Sequence, residues 1–484
     1  MSGSAITPTF LWHDYETWGA DARRDRPCQF AAIRTDVDLN EVEPPVVLYA
    51  RPATDVLPHP EACLVTGITP QLAERKGLVE AAFAAAIQTQ FSVPGTCGVG
   101  YNSMRFDDEV TRHLLYRNLI DPYAREWQQG NSRWDLIDVL RLAHALRPAG
   151  LQWPTREDGT VSFRLEHLSA ANEIDHGQAH DALADVRATI ALARRLRQVQ
   201  PRLFEYALSL RDKQRVRERL ARGAPLLHVS ARYPAALGCL APVLPLCPHP
   251  GNGNGIVCMD LRTAPDPLFD LSVEVLRSRL FTLTAELPAG VERIPLKTIH
   301  VNRSPMLAPL GTLAPEQAER WSVDLAQVQR HAERLRAAHE EIAEKVAAVH
   351  RHPDRPPETD PDLMLYSGGF LPDADRRQLD RLRALAPEAL AHEAPSFQDP
   401  RLAQMLFRYR ARNWPETLTP TEREDWEHER LTRLTDPGAG ASIVFDVFEE
   451  RLNTLAEQHE SDPNKRAILE AVRAWSERIL DVQD

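Results

Sequence analysis

The sequence predicts an α/β domain, then a small β-rich domain, then a C-terminal helical domain. Three observations carry that expectation. Strand-like and helix-like segments alternate over the first 200 residues, the pattern of a layered α/β architecture. Short β-branched runs among Pro and Gly turns occupy about Leu226 to Pro309. From Pro315 onward, charged sequence of helical period dominates. With 484 residues the chain exceeds what one hydrophobic core organises, and the expected divisions are 1–200, 201–352 and 358–484.

In chain order, FLWHDYET reads as a strand, because Phe10, Leu11 and Trp12 form an apolar run ahead of a polar cluster. FAAIRTDVDL and VVLYARP, joined by the turn-like NEVEPP, extend it to a β-meander. EAAFAAAIQTQF, DDEVTRHLLYRNL, RWDLIDVLRLAHAL and LADVRATIALARRLRQ each repeat apolar residues at three and four, the helical period. GTCGVGYN, between the first two of these, reads as a short buried strand. In the β-rich segment, IVCMDL and KTIHVN are strands, GNGNG at Gly251 to Gly255 is a turn, and LSVEVLRSRLF is the one helix expected. QVQRHAERLRAAHEEIAEKVAAVH is helical, HPDRPPETDPD is the clearest linker, and Leu363 to Asp484 is mostly helix.

Composition narrows the function classes. No apolar run approaches the roughly 18 residues that span a bilayer, and the N-terminal stretch lacks a basic region and an apolar signal core, so a cytoplasmic protein is expected. The six cysteines form no C-x-x-C pair, which argues against structural zinc and a disulfide scaffold; they read as small buried residues. A net charge of −12 permits a nucleic-acid partner if basic groups cluster locally.

Chemistry enters with three elements. Alternation along the first strand puts Asp14 and Glu16 on one face, where two carboxylates repel unless a cation sits between them. Hard oxygen ligands of this kind suit Mg²⁺ or Mn²⁺. In GYNSMRFDDEVTR a strand ends and a helix opens on Asp107, Asp108 and Glu109, acids that the helix dipole alone would favour. In HDALADVRATIALA, Asp181 is placed to cap a helix, Asp185 lies in its second turn, and His180 stands just before its start. A strand D-x-E, an Asp opening a later helix and H-x₄-D on a third element, in that order, make a candidate two-metal hydrolytic site.

On HDYETWG, QFAAIRTD, GYNSMRFDDEVTR, NSRWDLIDVLR and HDALADVRATIA, the chain resembles the DEDDh exonuclease superfamily, whose fold is ribonuclease H-like. Within it, RLFEY, LYSGGF followed by DADR, and LFRYRARNWP extend the resemblance to the bacterial exodeoxyribonuclease I family over nearly the whole chain. The resemblance implies an SH3-like second domain and Mg²⁺-dependent, processive 3′–5′ hydrolysis of single-stranded DNA to 5′-mononucleotides in repair and recombination. It implies two ions, replaceable by Mn²⁺, with Asp14, Glu16 and Asp185 as metal ligands, Asp107 as the remaining acid and His180 as general base. Glu16, Arg112, Tyr123, Trp127, Arg141, Arg164, Lys213, Asn254, Lys297, Asn302 and Tyr366 are implied substrate contacts. They mix cations for phosphates with aromatics and amides, a mix that suits single strands.

The family also binds the acidic C-terminal tail of single-stranded DNA-binding protein. Arg147 and Tyr206 match that pocket, whereas two positions usually basic there are Ala224 and Ala314; either neighbouring arginines such as Arg320 or Arg336 compensate, or the affinity is lower. A monomer is expected. An RNA 3′ exonuclease is the nearest alternative, since nothing in the five site residues reports on the 2′-hydroxyl. A non-catalytic single-strand-binding docking protein is the other, although such a chain would be expected to have lost one of the five.

Overall fold

The computed structural model describes residues 6–175, 177, 181–351 and 358–481. They form two compact units, each discontinuous in sequence. The first comprises Met1–Ser132, Gly177–Arg187 and Pro356–Asp484, the second Arg133–His176 and Ala188–Arg355. The first expected segment is therefore divided between the units, and the third shares the first unit with 1–132 and 177–187.

In the first unit, β1 (Thr9–Thr17), β2 (Pro27–Thr35) and β3 (Val46–Tyr49) form the expected antiparallel meander, with Asp14 opposite Ala31 and Glu16 opposite Gln29. β4 (Thr96–Gly100) pairs with β1 in parallel, but only from Thr9 to Trp12. Asp14 and Glu16 thus lie past the carboxyl end of β4, in the place where open α/β sheets hold ligands. Leu11, Tyr15 and Phe30 on this sheet bury against Phe83, Ile87 and Phe91 of the Glu80–Phe91 helix and Val110 and Leu114 of the Asp107–Arg117 helix. β5 (Ser132–Asp135) begins at the last residue of the unit's first segment. RWDLIDVLRLAHAL is therefore strand before it is helix: Asp135 caps Leu136–Leu146, its side chain accepting from Ile137 N–H, so helix cannot extend back through Trp134.

The C-terminal helices complete this unit. Two helices not expected from sequence, Pro60–Thr66 and Pro70–Lys76, each open on a proline whose fixed φ suits a first helical position. Cys63, Ile68 and Ala73 on and between them share a core with Phe448, Leu452, Val472 and Trp475. Tyr116 and Leu119 share another with Leu379, Leu402, Met405 and Tyr409. The same unit holds a buried charge lattice. Arg26 pairs with Asp55 and Glu80, both at 2.9 Å, and Glu80 with Arg117 at 2.7 Å. Arg412 pairs with Asp55 at 2.8 Å and Asp362 at 2.6 Å, and Asp362 also meets Arg408 at 3.2 Å.

The second unit holds an antiparallel sheet in the order β10-β6-β7-β8-β9, from β6 (Leu226–Val229), β7 (Leu240–Pro248), β8 (Gly255–Asp260), β9 (Leu296–His300) and β10 (Met306–Pro309). The expected GNGNG turn joins β7 to β8, and the His339–His350 helix lies against β7. The expected Val273–Phe281 helix is preceded by a short one at Asp266–Asp270. All six cysteines are buried. Among the described residues no helix is long and apolar enough to cross a membrane.

Candidate active site

The site is built where three elements of the first unit meet. β1 contributes Asp14 and Glu16 at alternate positions, hence on one face. Beyond β4 the chain turns through Asn102 at φ 66°, a left-handed conformation Asn tolerates, and the next helix opens at Asp107. Asp107 is buried, and its Oδ1 accepts from Tyr15 N–H at 3.2 Å, past the end of the β1–β4 pairing. Thr111 locks the arrangement, donating to Asp107 O at 2.7 Å and contacting the Tyr15 hydroxyl at 3.0 Å.

Asp185 comes from the Ala182–Val199 helix. Asp181 caps that helix as expected, accepting from Ala184 N–H at 3.1 Å. Gln29, directly opposite Glu16 on β2, accepts from Ala182 N–H at 3.4 Å and so ties the helix start to the sheet beside the acids. His180 lies outside the described residues.

Ligand oxygens of Asp14, Glu16 and Asp185 lie within 4.8 Å of one another. Burial, then repulsion from Asp107, Glu16 and Asp185, raises Asp14 well above the ordinary carboxyl range. Burial and repulsion from Asp185 and Asp107 push Glu16 up to about 9. Three converging hard oxygens that repel one another fit a divalent cation, which would relieve that repulsion.

The other expected contacts fall in both units. In the first, Arg112, Tyr123, Trp127 and Tyr366 come together. The Arg112 guanidinium sits 5.5 Å from the Tyr123 ring centroid and within 3.1 Å of the Tyr366 hydroxyl. Glu126 accepts from its Nε and Nη2 at 2.7 and 2.9 Å, a bidentate pair along one edge, and Glu109 accepts from its Nη1 at 2.8 Å.

In the second unit, Arg141 pairs with Asp138 at 2.6 Å and lies over Phe163. Arg164 and Lys213 are exposed. Asn254 accepts from Val301 N–H through its backbone, Lys297 stands over Tyr233, and the Asn302 carbonyl accepts from Arg133. Arg147 donates to Thr312 O at 3.2 Å and Tyr206 to Leu307 O at 2.7 Å.

Residues 11–193 match the family model "Exonuclease", residues 211–352 "Exonuclease I SH3-like domain" and residues 359–479 "Exonuclease I C-terminal domain". The chain is 44% identical to Exodeoxyribonuclease I of Escherichia coli (strain K12) over 484 residues, 99% of this chain and 100% of that one. It belongs to the exodeoxyribonuclease I family.

Solved exonuclease I structures share the fold over 98% of this chain and 100% of theirs. E. coli Exonuclease I in complex with a dA16 oligonucleotide aligns at TM-score 0.93 and 43% identity. An SSB/Exonuclease I structure in complex with the inhibitor CFAM aligns at 0.89 and 42%. The ribonuclease H-like exonuclease, SH3-like and C-terminal helical layout expected from sequence is thereby established, as is the enzyme class: this exodeoxyribonuclease I family member is a 3′–5′ exonuclease, a phosphodiester hydrolase. Membership brings divalent-metal dependence, and the Asp14, Glu16 and Asp185 carboxylates can hold such an ion.

Sequence reasoning did not find the supports of this family member's site. Tyr15, Gln29 and Thr111 lie inside HDYETWG, QFAAIRTD and GYNSMRFDDEVTR, but they act through individual hydrogen bonds that no residue spacing announces. The Glu109 and Glu126 clamp on Arg112 was half visible, since Glu109 precedes Arg112 by three on one helix face.

Proposed function

We propose that this chain degrades single-stranded DNA from its 3′ end, processively, releasing 5′-mononucleotides in DNA repair and recombination, as a cytoplasmic monomer. The observation that carries the reading is the convergence of Asp14, Glu16 and Asp185, with Asp107 anchored beside them, in a chain so similar to Exodeoxyribonuclease I. Asp14, Glu16 and Asp185 would hold two Mg²⁺ ions, with Mn²⁺ able to replace them. When bound, the ions supply Lewis-acid activation of water and neutralise charge on the phosphate. Asp107 keeps the β1 backbone in register with the helix that carries it, and Glu16 orients the terminal nucleotide. His180, of near-neutral ordinary pKa, takes the proton of the attacking water.

The working division is 1–200 for hydrolysis, 201–352 for the SH3-like part and 358–484 for the helical part. Arg112, Tyr123, Trp127 and Tyr366 from the first unit, and Arg141, Arg164, Lys213, Asn254, Lys297 and Asn302 from the second, contact the strand. Cations serve its phosphates and aromatics its bases. Arg147 and Tyr206 receive the acidic C-terminal tail of single-stranded DNA-binding protein; a tail-peptide titration at low salt tests that partner.

Single-turnover digestion of 3′- and 5′-labelled DNA and RNA oligonucleotides of one sequence, with Mg²⁺ and with chelator, tests the main reading. Mononucleotide release from the 3′ end of DNA, abolished by chelator, is expected. Equal or faster digestion of RNA would overturn the choice of DNA.

A further inference from the structure

The turn between β7 and β8 carries one dipeptide twice, Asn252-Gly253 and Asn254-Gly255. An asparagine followed by glycine is the least hindered setting for loss of a side-chain amide, because no Cβ shields the next backbone nitrogen from the asparagine Cγ. In an unfolded chain the two dipeptides would react alike. The fold makes them different.

Gly255 is buried at the start of β8, where its N–H donates to Asn252 O at 2.8 Å and its carbonyl accepts from His249 N–H at 2.9 Å. Asn254 is held as well, its carbonyl accepting from Val301 N–H at 2.8 Å and its Oδ1 from Arg217 at 3.3 Å. The nitrogen that would attack Asn254 is thereby committed to the hairpin. Gly253, in contrast, is exposed, and among the described residues no acceptor takes its N–H. A Cβ at Gly253 would meet no atom within 4 Å, and its φ lies outside the left-handed region, so the turn does not require glycine there.

The Asn252 side chain is posed toward that nitrogen. Its Oδ1 accepts from Asn254 N–H at 3.0 Å, an Asx-turn that folds the side-chain amide over the peptide joining 252 to 253. Its Nδ2 lies 3.4 Å from His300 Nδ1. Burial, then Arg303, His249 and Lys297, push His300 down to about 4, so at neutral pH its ring is uncharged and Nδ1 can accept from Nδ2. The amide is thus fixed at both ends. The oxygen that gains negative charge when a nitrogen adds to Cγ already faces a backbone donor, and the attacking nitrogen belongs to the next residue.

We propose that Asn252 is a self-modification site and that its conversion to a carboxylate weakens strand binding by this turn. The Gly253 nitrogen gives its proton to solvent and bonds to Asn252 Cγ; the Cγ–Nδ2 bond breaks, and the amide leaves as ammonia, taking up a proton in exchange. Water then opens the succinimide, at Cγ to give aspartate or at the main-chain carbonyl to give isoaspartate. Either product places a negative charge two residues from Asn254, and isoaspartate also lengthens the backbone of a turn whose hydrogen bonds position Asn254. The consequence for binding rests on the reading that Asn254, Lys297 and Asn302 contact single-stranded DNA, since a carboxylate beside them repels phosphate.

The test ages the full chain at mildly alkaline pH, folded and in urea, and reads each asparagine by peptide mass spectrometry and isoaspartyl methyltransferase labelling. In the folded chain, conversion at Asn252 should outrun that at Asn254 about ten-fold; in urea the two should convert alike. Gly253→Ala should slow conversion of Asn252 about ten-fold. In chelator, aged wild type and fresh Asn252→Asp should each bind dT16 about five-fold more weakly than fresh wild type, whereas aged Gly253→Ala should bind as fresh wild type does. Conversion no faster at Asn252 than at Asn254 in the folded chain would overturn the site, and unchanged affinity of the converted chain would overturn its consequence. Failure of fresh wild type to bind dT16 would overturn the single-strand reading instead and leave the conversion standing.

Discussion

Two clusters of acids, one partly buried and one buried, lie in the same unit, and they are opposite in charge balance. Around Asp14, Glu16 and Asp185 the carboxylates face one another, and burial with mutual repulsion drives Asp14 and Glu16 upward. Around Asp55, Glu80 and Asp362, arginines 26, 117, 408, 412 and 433 surround the acids and hold all three below their ordinary range despite burial. Arginines balance one cluster, whereas in the other burial acts first and repulsion between carboxylates adds to it. The difference separates scaffold from site: a balanced lattice ties the C-terminal helices to the nuclease sheet, whereas a repulsive one stores affinity for a metal.

The largest expected effect lies in the repulsive cluster. Asp185→Asn should lower single-turnover hydrolysis roughly 1,000-fold or more, the equivalent of several kcal/mol of lost transition-state stabilisation. The chelated protein should melt no lower than wild type, because a repelling charge has gone. A drop in melting temperature together with retained activity would place Asp185 in the scaffold. His180→Ala comes next, with a loss of about 100-fold or more. Mg²⁺ should still raise its melting temperature as in wild type, since a general base adds no ligand to the ion; loss of that shift would make His180 a ligand instead.

The two clusters were unequally legible. Asp14 and Glu16 declare themselves through strand period, and Asp107, Asp181 and Asp185 through helix-start chemistry, because both signals are local. The lattice is non-local. Arg408 and Arg412 sit four apart on one face of Arg401–Asn413, a spacing that names no partner, while Asp55, the partner of Arg412, lies 357 residues away. Pro60 and Pro70 disguised two helices as loop for a related reason, since a proline at a first helical position looks like a breaker unless tertiary packing secures the turns behind it. Tertiary burial, which no window of sequence contains, decided both cases.

Asp55→Ala sharpens the comparison from the other side. It leaves Arg26 and Arg412 buried without a shared partner, and breaking a buried pair in this way costs about 3–5 kcal/mol. Urea unfolding should show that loss with little change in turnover per folded molecule. If activity fell in proportion while stability held, the lattice would belong to the catalytic machinery.

The smallest effect is a difference in slope, and it has opposite sign in the two clusters. Glu16 in the metal-free fold binds its proton up to about pH 9, against an ordinary value of 4.5, so between those limits the folded chain holds more protons than the unfolded one. Its contribution to stability is full below 4.5 and is lost as pH rises toward 9. Asp55, Glu80 and Asp362 are depressed, so their contribution is full above the ordinary carboxyl values of 3.8 to 4.5 and is lost as pH falls below them. Urea melts of the chelated protein from about pH 4 to about pH 9 should therefore decline toward the alkaline end. Saturating Mg²⁺ should remove that decline, because a bound cation favours the ionised carboxylates, and Glu16→Gln should weaken it without any metal. An alkaline decline that survives both changes would mean that the negative charge destabilising the fold lies outside the Asp14, Glu16 and Asp185 cluster.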